Sequence, residues 1–155
     1  MASKTKINRI KPSSLVITPE EYRKLQSKID LVEIRLFNST SFLILTSLDT
    51  LLNAKEFPTI ELNDSAKVFE NEKTVHIYNK WSLNAKFQES GTPFLNIKAE
   101  YSITLAKTEK MSKEFWNIYK NTTLHIIVYP YFREFVQNLT SRMNIPPLTL
   151  PILFK

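Results

Sequence analysis

YPYFREFVQNLTSRMNIPPLTLPILF, residues Tyr129 to Phe154, joins a strongly signalled helix to an apolar tail bounded by prolines. Pro130 suits the first turn of a helix, where the missing N–H is not needed and the fixed φ is already helical, so the helix is expected to begin there. Phe132, Phe135, Val136, Leu139 and Met143 then fall at the offsets of one helical face, the face to be buried. Arg133, Glu134, Gln137, Asn138 and Arg142 cover much of the rest, while Tyr131 and Phe135 widen the apolar sector to one side. Pro146 and Pro147 bar further helix, and Asn144 can take the left-handed conformation of a C-terminal cap, so the helix ends near Met143. The rest of the chain has to supply the surface that this helix covers.

That surface reads as an antiparallel sheet. Leu95, Ile97, Ala99, Tyr101, Ile103 and Leu105 alternate with Asn96, Lys98, Glu100, Ser102 and Thr104, the period of a strand with one buried and one wet face. Val75, Ile77, Trp81, Leu83, Ala85 and Phe87 alternate in the same way, and residues 88–93, with Gly91, form the hairpin turn between the two runs. Val32, Ile34 and Leu36 alternate with Glu33 and Arg35 in a further strand that runs on towards Leu45, and Thr59 to Leu62 reads as another after Pro58. Thr18, Pro19 and Glu21 form a capping box that opens a helix of about three turns, with Tyr22, Leu25 and Ile29 on one side. Met111, Phe115, Ile118 and Tyr119 mark a second helix ending near Asn121, with Trp116 at its edge, and Leu124 to Tyr129 is a short apolar run leading to Pro130. A helix, several antiparallel strands and then helices make an α+β chain, read as one domain over 1–155 with a flexible basic arm over 1–14.

Composition excludes several classes of function. The 155 residues are 43% hydrophobic, with one glycine and no cysteine, which argues against disorder, disulfides and thiol chemistry. A single glycine cannot build a phosphate-cradling loop. His76 and His125 are the only histidines, lie in separate apolar runs and have no ligand at metal-binding spacing, so both read as structural and no metal or cofactor is expected. No stretch approaches the roughly 18 apolar residues of a membrane span, and the first residues lack the apolar core of a leader, which places the chain in the cytoplasm. The 21 basic residues against 15 acidic give a net charge of +6. Apart from Lys4, Lys6, Arg9 and Lys11 they are interspersed with acids, which argues against nucleic acid as a partner. Nothing points to an enzyme.

Three segments of the quoted stretch carry a resemblance. Pro130-Tyr131-Phe132-Arg133-Glu134, Leu139-Thr140 and Pro146-Pro147-Leu148-Thr149-Leu150 resemble the SecB family of export chaperones, and most of all the SecB-like chaperones that accompany toxin–antitoxin pairs. The resemblance implies a SecB-like fold: a four-stranded antiparallel sheet covered on one face by helices, here with an extra N-terminal helix. It implies an ATP-independent holdase that binds non-native polypeptides, either preproteins handed to the SecA motor or a dedicated antitoxin. It also implies a homotetramer built as a dimer of dimers, with Tyr131, Phe135 and Arg142 facing a symmetry-related helix. Export-type members are acidic and extend past the PPL turn, whereas this chain is basic and ends at Lys155, which favours the dedicated client.

The candidate client-binding residues are apolar ones without an evident partner: Trp81, Trp116, Leu148, Leu150, Ile152 and Phe154. Against this stands a purely structural reading in which the tail packs back on its own domain. The alternative from another class is a nucleic-acid-binding or regulatory module that uses the basic arm.

Overall fold

A computed structural model describes residues 17–44 and 58–152. Helix α1 (Pro19–Gln26) precedes strands β1 (Ile29–Leu43), β2 (Pro58–Glu70), β3 (Thr74–Phe87) and β4 (Pro93–Lys107), and helices α2 (Lys113–Asn121) and α3 (Thr123–Arg142) follow. The strands form one antiparallel sheet in the order β1-β4-β3-β2, so the chain crosses from one edge to the other between β1 and β2.

The two central strands follow their sequence pattern residue by residue. In β3 Val75, Ile77, Trp81, Leu83, Ala85 and Phe87 are buried, and in β4 Leu95 to Leu105 are buried at every second position. Register pairs Ile77 with Ile103 and Leu83 with Ile97, so both sets share one face. Phe115, Tyr119, Leu124, Val128, Phe132 and Val136 of the helices close over it. Gly91 turns the hairpin at φ 66, a conformation in which any side chain is strained.

Two sequence expectations about element boundaries are corrected. Helix α1 has 8 residues, about two turns, because Ile29 already pairs with Lys107 at the start of β1. Its capping box is present: the Thr18 hydroxyl accepts from the Glu21 N–H, and Glu21 accepts from the Thr18 N–H at 2.8 Å. Helix α3 begins at Thr123, not at Pro130, and the apolar run Leu124 to Tyr129 is its first half. Pro130 is tolerated inside it because the ring is on the solvent side, as is Ile126, whose carbonyl loses the amide and can take water instead. At the other end the expectation holds, with the cap at Met143 and Asn144 at φ 58.

Strand β1 departs most from its pattern. Register skips Val32 between Leu31 and Glu33, and Phe37 between Leu36 and Asn38, which are two bulges. Each bulge shifts the inward set by one residue: Leu31 shares a face with Leu105, then Ile34 and Leu36 share it with Ile103 and Tyr101, then Ser39 with Ala99. Of the expected buried row only Ile34 is partly covered, Leu36 is 41% exposed, and Val32, out of phase with both, is 62% exposed.

At the end of β4 the covered face closes on a buried ion pair. Lys107 Nζ donates to Glu70 Oε1 at 2.6 Å, and the same carboxylate accepts from the Met111 N–H and the Trp116 indole. Burial pushes the Glu70 carboxyl up, but the Lys107 ammonium and these two donors outweigh it and hold it below its ordinary value.

Candidate functional site

The structure distributes the six candidate client-binding residues unevenly. Trp81 is a core residue, 3% exposed, stacked on Phe132 at 5.4 Å and edge-on to His125 at 5.5 Å, with its indole donating to Asn79. Trp116 is buried at 7% exposure, its ring against Phe115 and Tyr119 and its indole on Glu70. Leu150 is buried, Leu148 is half-buried, Ile152 is 59% exposed, and Phe154 lies outside the described residues. Trp81, Trp116 and Leu150 therefore present no open surface in this structure, contrary to the expectation that they lack a partner. Trp81 looked uncovered because the first half of α3, which brings His125 and Tyr129 onto it, was not read as helix.

The tail folds back along α3. Pro147 cannot donate, but the next amide, Leu148 N–H, is accepted by Thr140 Oγ1 at 3.0 Å, and that hydroxyl donates in turn to the Val136 carbonyl. Arg133 Nε donates to the Leu150 carbonyl, and the Tyr129 hydroxyl donates to the Pro151 carbonyl, each at 2.6 Å. Burial raises the Tyr129 pKa above its ordinary value, against the opposing charge of Arg133. The sequence marked Arg133, Thr140 and the PPLTL turn as a motif, and their geometry supplies the reason: the helix binds the tail by its main chain.

The apolar surface left to solvent lies elsewhere. Opposite the helices, Phe69 of β2 and the bulge residue Phe37 of β1 both stand edge-on to Tyr78 of β3, at 5.6 and 5.8 Å. Between them Ser102 of β4, the register partner of Tyr78, keeps the row low. Phe37, Phe69 and Tyr78 are 49%, 53% and 45% exposed, and Phe42 on the same face is 53% exposed. Leu31, Val32 and Leu36 add apolar surface along the β1 edge. Polar groups rim the row, with Lys80 paired to Glu100 at 2.7 Å and His76 beside Thr104. An aromatic band of this kind, on a sheet face that no described helix covers, can take apolar side chains from an extended chain without chemical change. Sequence reasoning missed it because Phe37 and Phe69 broke the alternation and were read past; two phenylalanines out of phase on edge strands were the available signal.

Tyr131 and Arg142 are exposed on α3, and Phe135 beside them is half-buried. The Tyr101 hydroxyl of β4 is buried without a hydrogen-bond partner among the described residues, and burial together with the Glu134 charge pushes its pKa up. His125 contacts Asp64 at 2.9 Å across to β2, an acid that is remote in sequence. Among the described residues no three His, Asp or Glu side chains group as metal ligands, and no helix is long and apolar enough to cross a membrane. The basic arm lies outside the described residues.

No family model matches the chain. The SecB-like chaperones Rv1957 and MT2006 from two strains of Mycobacterium tuberculosis are each 48% identical to it over 42 residues, 27% of this chain. The matched stretch spans 23% of the length of these curated relatives. The solved structure of the Mycobacterium tuberculosis SecB-like chaperone Rv1957, in complex with a ChAD peptide from the HigA1 antitoxin, superposes with a TM-score of 0.70 at 21% identity, covering 86% of this chain and 96% of that one.

Proposed function

We propose that this chain, SecB-like in its fold, is a non-catalytic cytoplasmic chaperone that holds non-native polypeptides without ATP, with an antitoxin as a dedicated client. The observation that carries the proposal is the exposed row Phe37–Tyr78–Phe69 on the face of the sheet that the helices leave open. The similarity to an antitoxin-bound SecB-like chaperone supports the choice of client. Burying apolar surface contributes about 25 cal/mol per Å², so only a long unfolded segment gathers enough to offset its own ordering. Native proteins are therefore poor ligands. At a stoichiometric ratio the protein should suppress aggregation of a diluted, unfolded client, and the double variant Phe37→Ser, Tyr78→Ser should lose most of that effect. An inactive parent would sink the reading.

The assembly proposed with it is a dimer of dimers in which Tyr131, Phe135 and Arg142 meet a symmetry-related α3. A two-fold contact repeats each residue on both sides, so Phe135→Glu would bring two unpaired charges together. Light scattering should then report dimers where the parent gives tetramers. A monomeric parent at micromolar concentration would remove the claim.

A further inference from the structure

The three contacts that hold the tail on α3 read its backbone. Thr140 takes an N–H at position 148, Arg133 takes a carbonyl at 150 and Tyr129 takes a carbonyl at 151. The slot selects for apolar character only through the buried side chain of Leu150 and the half-buried one of Leu148. Such a slot does not specify the PPLTLPI sequence; it specifies an extended segment with large apolar side chains at two alternate positions. Beneath it lies an aromatic layer, since the Tyr129 ring is 5.3 Å from Trp81, which in turn stacks on Phe132.

We infer that the slot along α3 is a second polypeptide-binding site, closed in the free protein by residues 146–152 acting as an intramolecular ligand. The partner it fits is an extended, apolar, unfolded segment, so the inference rests on the chaperone reading above. A client that has settled on the open sheet face displaces the tail and takes over the donors of Tyr129 and Arg133. The tethered tail competes at a high effective concentration, so short free peptides are excluded while long clients, held already at the first surface, are not.

Two measurements on the full chain test this. The probe is a permanently unfolded, reduced and carboxymethylated protein, added to saturation. Hydrogen exchange at the Leu148 amide, which Thr140 holds in the free protein, should accelerate at least tenfold when the probe binds. Unchanged protection at Leu148 in the saturated complex overturns the inference. The second measurement uses a fluorescent peptide with the sequence of residues 145–152. Weakening the anchor with Leu150→Ser should let the peptide bind about tenfold or more tightly than to the parent, because apparent affinity scales with the fraction of molecules whose slot is open. Equal or weaker binding overturns the inference, and the exchange measurement stands if the variant does not fold. A parent that binds no unfolded probe at all removes the chaperone reading instead, so the two failures are told apart.

Discussion

Leu105 and Leu31 lie directly opposite each other in neighbouring strands, on the same face of the sheet, and yet the first is fully buried while the second is 48% exposed. The same residue type in the same layer serves two ends. The fully buried strand residues lie on β3 and β4, whereas on β1 Ile29, Ile34 and Leu43 are only partly buried and Leu31 and Leu36 remain surface. The bulges at Val32 and Phe37 widen the contrast by turning further apolar residues out of the inward row. Apolar content alone does not separate core from binding surface; the reach of the covering layer does.

The comparison can be broken most severely where the covered face of β4 ends on a charge. Lys107→Met leaves Glu70 without its cation in a site where the ammonium is almost wholly buried, and should cost about 3–5 kcal/mol in urea unfolding. Glu70 also sets a pH dependence. Because its pKa is depressed on folding from the ordinary 4.5, its contribution is fully present above that value and is lost as pH falls through the lower, folded one. Stability should decline below about pH 4.5, and Glu70→Gln, though less stable at neutral pH, should show a flatter decline.

Leu105→Ala against Leu31→Ala sharpens the contrast directly. The buried site should lose about 2–5 kcal/mol and the edge site no more than about 0.5, measured by the same denaturant titration. Equal losses would mean that β1 is covered in solution. An intermediate effect is expected at the edge of the fold, where Thr18→Ala removes the α1 cap and should lower stability by about 1 kcal/mol. The smallest stability change belongs to Phe37→Ser, within about 0.5 kcal/mol, while client binding weakens. If unfolding shifts as much as binding does, the aromatic row is structural.

How much of this was legible in the sequence differs by region, for physical reasons. Strict alternation in β3 and β4, the capping box at Thr18 and the left-handed Asn144 are local signals, and each predicted its structure. The start of α3 was misplaced because proline favours a first turn, and only tertiary context shows that a solvent-side proline can sit at the eighth position of a helix. Strand β1 misled because two inserted residues change the phase of a period-two pattern. The burial of Trp116 could not be foreseen, since its partner Glu70 is 46 residues away in the chain. The tail motif was recognised as a string, but what Arg133 and Thr140 bind is set by a fold-back that spacing does not reveal.

All four strands precede α2 and α3 in the chain, so the helices that cover the sheet are made after it. Synthesis runs from the N-terminus, and until α2 and α3 have been made Ile77, Leu83, Ile97 and Ile103 lack the helices that complete their core. A nascent copy of this protein therefore displays a bare apolar sheet that its own helices later cover.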